Sequence, residues 1–317
     1  MKTIFIINPK AGQGKSSQKL LTAIKEKIHN SDADVYVTKS SGDAMEFAKK
    51  YCKEHGAARF IACGGDGTLG EVINAVAESG ASEVGVMPVG TGNDFCRNFG
   101  SGCDFGSVEL QMSSESQKCD VIKCTLDSGE RVIYSANMIN IGFDCNVADM
   151  CSKMKQKPFI SGSMAYFLSI FVMLIKKKGA NLKIEVDGEL CHRGSLLLTS
   201  VANGAYCGGG IMSNPMASVM DSDIDINIIK DISRFRFLGL LPYYMKGTHN
   251  DIKGIEKIIT TRKCKKIKMA SQSGEMRLSI DGEIVSAQNV EFEIIPGAIS
   301  FIVPQKDKKI KEKEIVI

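Results

Sequence analysis

The sequence predicts two domains: an α/β N-terminal domain with an open parallel sheet, then a mainly antiparallel, β-sandwich-like domain. Three observations carry this. Up to about residue 120, short continuous apolar runs alternate with segments of helical spacing, the pattern of a parallel sheet covered on both faces. Beyond Asp120, strand-like segments follow one another directly. Glycine-rich turns follow three of the early strands.

In the first domain, Thr3–Ile7 reads as a buried strand, and Leu20, Leu21, Ile24 and Ile28 give 16–28 a helical stripe. Strands at 35–37, 60–63 and 84–87 alternate with helices at 43–52 and 69–77. Thr68 and Glu71 have capping-box spacing, predicted to fix the start of the third helix. In the second domain, strands are predicted at 121–126, 132–137, 182–186, 195–202, 224–229, 265–269, 276–280 and 290–295. Helical segments are predicted near 164–175 and 235–246. The predicted domains are 1–120 and 121–302, with a charged tail, 303–317, expected to pack back on the first.

The bulk properties exclude several classes. With 317 residues and 44% hydrophobic composition, the chain can build two cores. A net charge of +4 is too weak to predict nucleic-acid binding. Eleven cysteines form no CxxC pair, and His29, His55, His192 and His249 lack zinc-ligand spacing. Free thiols in a reducing cytosol are expected, with Cys63 and Cys96 as packing residues. The longest apolar stretch, 164–175, is shorter than the ~18 residues of a membrane-spanning helix. No signal peptide is read at the N-terminus.

The turns are Asn8-Pro9-Lys10-Ala11-Gly12-Gln13-Gly14-Lys15, Gly64-Gly65-Asp66-Gly67-Thr68 and Pro88-Val89-Gly90-Thr91-Gly92-Asn93-Asp94. Glycine lets backbone N–H groups approach a phosphate, and the following helix start favours the anion. A lone turn of this kind is ordinarily only a tight connection; three at the carboxyl edge of one sheet point to a ligand. Gly14-Lys15-Ser16 is not a Walker A motif, because that pattern requires glycine at Pro9.

Asp66 would repel phosphate unless a cation intervenes, which points to Mg²⁺. Asp94 and Asp120 are candidates for the same acidic network; a helix cap and a roleless strand end are their plain alternatives. Asp221, Asp223 and Asp225 form a second cluster suited to a hard cation, or a solvated turn. Asp-Gly-Glu occurs twice, at 187–189 and 281–283, and each copy reads as a hairpin turn.

The motifs at 8–12, 64–68 and 88–95, with the late Asp281-Gly282-Glu283, together resemble the diacylglycerol kinase catalytic-domain family, soluble bacterial lipid kinases related to diacylglycerol and sphingosine kinases. The resemblance runs from about Ile4 to Pro304 and includes Asn203, Gly208-Gly209-Gly210, Pro215 and Asp221. It departs at Gly70 and Ser222, where the family carries asparagine and glycine. It implies an ATP- and Mg²⁺-dependent lipid kinase with its nucleotide site in the cleft between domains, diacylglycerol being the first-choice acceptor. Asn8, Pro9, Lys10, Ala11, Gly12, Thr38, Gly64, Gly65, Asp66, Gly67, Thr68, Thr91 and Asn93 would contact the nucleotide. Asp66, Asp94 and Asp120 would form the Mg²⁺-linked network, and Asp221, with Asp223 and the region of Ser218, a structural Mg²⁺ site. Asp281 would be the general base, supported by Glu283; Asp187–Glu189 is the decoy.

The resemblance further implies a cytoplasmic enzyme peripheral to the inner face of the membrane, with a possible homodimer. Tyr166–Ile175 reads as an acyl-chain wall or as a core helix. Lys176–Lys178 and the basic run 262–266 read as anionic-lipid contacts or as solvated faces. A NAD kinase would share the second turn, but not the first and third. A non-catalytic lipid-binding regulator should have lost Asp66 or Asp281, and both are present.

Overall fold

A computed structural model describes residues 1–29, 31–142 and 179–306. The predicted helix near 164–175, the lysines 176–178 and the tail from 307 lie outside the described residues. The chain forms two compact units. The first comprises Met1–Gly90, Phe99–Lys118 and the chain from Ile299; the second comprises Thr91–Asn98 and Cys119–Ala298.

In the first unit, β1 (Thr3–Ile7), β2 (Ala33–Val37), β3 (Arg59–Gly64) and β4 (Glu83–Pro88) are parallel, in the order β4-β3-β1-β2. All five residues of β1 are buried, which is why it carries no polar alternation. Helix α1 (Lys15–Ile28) packs Ile24, Leu20, Leu21 and Ile28 against Phe5, Ile7, Ile61 and Met87. Helix α2 (Asp43–His55) buries Ala44 and Ala48, and α3 (Asp66–Val76) buries Leu69, Val72, Ile73 and Val76. The predicted capping box does not form. Glu71 turns away from its own helix and accepts the N–H groups of Gly42 (2.9 Å) and Ala44 (3.0 Å), capping α2 instead. Short helices α4 (Asp94–Arg97) and α5 (Val108–Ser113) follow β4.

The second unit is built from β5 (Ser116–Leu126), β6 (Arg131–Ser135), β7 (Met138–Gly142), β8 (Ala180–Val186), β9 (Glu189–Ala202) and β10 (Ile224–Lys230), then α6 (Arg234–Lys246). β11 (Ile259–Cys264), β12 (Lys266–Ser271), β13 (Met276–Ile280), β14 (Glu283–Ala287) and β15 (Asn289–Ile302) complete it. Antiparallel pairing orders them β14-β13-β7-β9-β8-β12-β15, with β10 between β9 and β11, and β5 beside β6. The strand expected over 132–137 stops at Ser135 as β6, because the amides of Ala136, Asn137 and Met138 turn onto a carboxylate, Asp281; β7, which starts at Met138, is not among the predicted strands. β11 and β14 also escaped the sequence reading: β11 carries the polar run Thr260–Lys263, and β14 has no fully buried residue before Ala287. The end of β15 runs parallel to β4 in the first unit, Phe301 beside Val84. Residues just beyond it bond to the same unit: Asp104 N–H donates to Pro304 O at 2.7 Å. Among the described residues no helix is long and apolar enough to cross a membrane.

Candidate active site

The strand order sets where a ligand can sit in the first unit. From β1 the chain moves to β2 on one side, and from β2 to β3 on the other, so the order reverses between β1 and β3. Ligands of open α/β sheets bind at the carboxyl ends flanking such a reversal. Asn8 and Gly64–Thr68 lie there, Ile7 being paired with Cys63. The loops are tied to one another. Asn8 N–H donates to Cys63 O (3.0 Å), Asn8 Nδ2 to Thr68 Oγ1 (3.2 Å), and the Val89 and Gly90 amides to Gly64 O (2.9 and 3.2 Å). Thr38 is buried beside them, its N–H donating to Ile7 O at 2.9 Å. Lys10 N–H closes a turn onto Asn8 Oδ1 (3.0 Å), while Pro9 and the Lys10 side chain face solvent.

Two of the glycines are required by geometry. Gly12 has φ +57°, and a Cβ there would lie 2.8 Å from Val89 O. At Gly64 a Cβ would collide with Thr68 Oγ1 at 2.3 Å. α3 starts at Asp66 with no side chain capping it, so its first amides are presented at the reversal point. Asp66 itself is half-buried on that first turn. Cys63 is fully buried beneath it, and burial drives its thiol pKa far above the ordinary range, consistent with packing.

The structure thus gathers Asn8–Gly12, Thr38 and Gly64–Thr68 in one unit. Thr91 and Asn93, predicted beside them, belong to the second unit, Asn93 with φ +54°. So do Asp94 and Asp120. Asp94 accepts the amides of Gly209 (2.9 Å) and Gly210 (2.7 Å), and the glycine triplet at 208–210 has positive φ throughout, the conformation that favours glycine. Asp120 accepts Ser222 N–H and Gly297 N–H, each at 2.7 Å. Ser222 there has φ +62°, a conformation that favours glycine, the residue the resemblance calls for.

The Asp221–Asp225 cluster holds ammonium groups. Lys263 Nζ lies 2.6 Å from Asp221 Oδ2, 2.9 Å from buried Asp225 Oδ2 and 3.2 Å from Met216 O. Lys265 Nζ lies 2.7 Å from Asp223 Oδ1. Burial raises the Asp225 pKa, so this carboxylate depends on its lysine. A structural Mg²⁺ does not fit here, since Lys263 already supplies the cation. Among the described residues no three His, Cys, Asp or Glu side chains converge to hold a metal. Asp66 remains a suitable donor for a Mg²⁺ that brings its other ligands as nucleotide oxygens and water. The basic run is neutralised too, Arg262 facing Glu189 and Lys266 facing Glu291.

Asp281 is held by four hydrogen bonds in the second unit. It occupies a two-residue turn between β13 and β14, with φ +47° and Gly282 at +93°. Its Oδ1 accepts Ser135 Oγ (2.9 Å), Asn137 N–H (3.1 Å) and Met138 N–H (2.8 Å). Its Oδ2 accepts Ala136 N–H (2.8 Å). Burial pushes its carboxyl up to about 6, against those four bonds, which favour the anion. Glu283 is exposed at the start of β14.

Three asparagines extend this network. Asn203 Nδ2 donates to Asp120 O (2.8 Å) and Ala136 O (2.7 Å). Asn98 Nδ2 donates to Asn137 Oδ1 (3.1 Å), and Asn137 Nδ2 to Tyr206 O (2.6 Å). The segments carrying Asp281, Asp120 and Asp94 are therefore joined. Sequence reasoning gave Asn98 and Asn137 no role, since neither sits in a motif.

Comparison with known proteins followed the same division. Residues 2–124 match the diacylglycerol kinase catalytic domain, and 137–303 match the YegS C-terminal NAD kinase beta sandwich-like domain. A Pseudomonas syringae protein named probable lipid kinase YegS-like is 30% identical over 277 residues, covering 86% of this chain and 84% of its own. A Bacillus subtilis diacylglycerol kinase is 28% identical, covering 95% and 96%. A crystal structure of a Bacillus anthracis diacylglycerol kinase aligns with TM-score 0.67 at 22% identity, covering 95% and 96%. Yeast NADH kinase aligns with TM-score 0.54 at 12% identity, covering 100% and 87%, a likeness of fold alone.

Proposed function

We propose, since this chain belongs to the lipid kinase family defined by the diacylglycerol kinase catalytic domain, that it transfers the γ-phosphoryl group of ATP to a lipid hydroxyl, diacylglycerol being the first choice. The acceptor follows the B. subtilis relative, named diacylglycerol kinase. The observation that carries the reading is the mutual bonding of the first and second loops, with the start of the third, at the β1/β3 reversal.

Phosphoryl transfer depends on positioning and charge neutralisation more than on covalent chemistry. The amides at the start of α3 and the Asn8–Gly12 turn would hold the triphosphate, with Thr38 beside them. Asp66 would hold Mg²⁺, which supplies charge neutralisation at the phosphates. Thr91 and Asn93 would contribute further nucleotide contacts. Asp94 and Asp120 would act by fixing the backbone at 209–210, 222 and 297.

Asp281 would accept the proton of the attacking hydroxyl. Oδ1 takes three donors and is an anchor; Oδ2 takes one, which leaves it an acceptor position for that hydroxyl. A carboxyl with pKa about 6 is mostly ionised at pH 7 and more basic than an ordinary aspartate. Glu283, exposed beside it, would support the metal or the base. A cytoplasmic enzyme reaching its lipid peripherally fits this chemistry.

The test supplies labelled ATP–Mg²⁺ with micelles of diacylglycerol, sphingosine or phosphatidylglycerol, and NAD⁺ as control. Label in diacylglycerol is the expected result. Label in another lipid would change the substrate, and label in NAD⁺ alone would overturn the lipid reading. Nucleotide binding without transfer would favour a regulatory lipid-binding role.

A further inference from the structure

Helix α6 is apolar on the side that should be polar. Its inner face, Phe237, Leu240 and Tyr244, is buried against Leu198, Ile229 and Ile259. A helix docked on one side ordinarily presents charged and polar residues on the other. Here Phe235 is 87% exposed, Leu238 47% and Tyr243 49%, with Pro242 also exposed. The positions 235, 238, 242 and 243 fall within one arc at ~100° per residue. The charged side chains described on that arc are cations, Arg236 and Lys246, and the helix sequence contains no acid. Lysines and arginines also outnumber acids between residues 230 and 257. Scattered exposed apolar residues are normal; three large ones on one helical arc with only cations are not.

We propose that this face of α6 docks the protein on an anionic bilayer surface, an inference that rests on the lipid-kinase reading for why the protein meets a bilayer. Phe235 and Leu238 enter the headgroup–acyl boundary. Tyr243, with an apolar ring and a polar hydroxyl, lies at that boundary, and Arg236 and Lys246 face lipid phosphates. The basic run 262–266 is unsuited to this task, because its lysines face Asp221, Asp223, Asp225 and Glu291. A second copy of the chain suits the face less well. A two-fold contact would bring the cations Arg236 and Lys246 of one copy toward those of the other, and a few side chains fall short of the ~1,200 Å² of a stable interface.

The experiment is co-sedimentation of the full chain with phosphatidylcholine vesicles, with and without phosphatidylglycerol, in parallel with turnover on a short-chain, water-dispersed diacylglycerol. Wild type should bind the anionic vesicles and lose binding at high salt. Phe235→Glu with Leu238→Glu should weaken binding about tenfold or more, and Arg236→Glu should weaken it on anionic vesicles only. All three exposed positions tolerate charge, so melting temperatures should be unchanged and short-chain turnover should stay within about twofold. Variants that bind vesicles as wild type does would overturn the proposal. So would a wild type that turns over the short-chain substrate but binds no vesicle. A wild-type dimer that the double variant dissociates, with vesicle binding unchanged, would assign the face to self-association. Vesicle binding lost in the variants, with no turnover by any form, would support the docking face and reject the kinase reading.

Discussion

The two Asp-Gly-Glu hairpins are a natural control for one another. Asp187-Gly188 and Asp281-Gly282 have nearly the same turn, φ +48° and +88° against +47° and +93°. Their anchoring is the same as well. Asp187 N–H donates to Lys266 O, and its Oδ1 accepts the amides of Lys265 (3.0 Å) and Lys266 (2.9 Å). Asp281 N–H donates to Met138 O, and its Oδ1 accepts the amides of Asn137 and Met138. The difference lies in what surrounds the motif. Asp187 is exposed, whereas Asp281 gains Ser135 Oγ, Ala136 N–H and enough burial to raise its carboxyl to about 6. Local sequence makes the turn and its anchor; the neighbours make the candidate base.

The largest effect should come from Asp281→Asn, with kcat falling about 10²–10⁴-fold. Asp187→Asn should leave turnover within about twofold. The four bonds at Asp281 give the substitution a cost in stability as well. The new amide would set Nδ2 against the Ala136 N–H, costing about 1–3 kcal/mol in urea unfolding, against less than about 1 kcal/mol for Asp187→Asn. Equal losses of turnover in both variants would remove the distinction.

The next effect is on pH. Asp281 must be ionised to act, so kcat/KM should fall about tenfold per unit below pH about 6. Stability should move the other way. The folded state holds this proton more tightly than the unfolded chain, from an ordinary value of 3.8, so stability should decline as pH rises from about 4 to about 6 and then level off. Asp281→Asn should erase that slope, and Asp187→Asn should keep it. Ser135→Ala should act more mildly. It removes one donor to the carboxylate, costs about 1 kcal/mol and shifts the acid limb to higher pH, with kcat retained above both limbs. The smallest contrast is expected at the turn glycines. A Cβ at Gly188 or Gly282 meets nothing within 4 Å, so Ala at either should cost a similar ~1 kcal/mol through positive φ alone. Unequal costs would mean the turns differ in more than their surroundings.

The same division between motif and surroundings governs what was legible beforehand. The buried strands and Gly-rich loops announced themselves because continuous apolar runs and glycines at tight turns are local requirements. Glu71 was misread because capping-box spacing names a partner in its own helix, while the carboxylate found two amides of α2. The Asp221–Asp225 cluster looked ready for a metal because its lysines, Lys263 in β11 and Lys265 just after it, arrive from some forty residues away. Asn98 and Asn137 escaped notice because the bonds that tie them into the network span 39 to 107 residues of chain.

The sequence by itself determined the order of the two folding patterns, the three glycine-rich turns, the family and both hairpin turns. Each of these rests on period, glycine placement or motif spacing, which are properties of neighbouring residues. Tertiary structure alone decided that Asp281 is the half-buried copy, that Asp94 and Asp120 bind backbone amides, and that Lys263 fills the second acidic site. Those outcomes depend on burial and on groups far apart in the chain, and the free energy of a carboxylate is set by that company more than by its own motif.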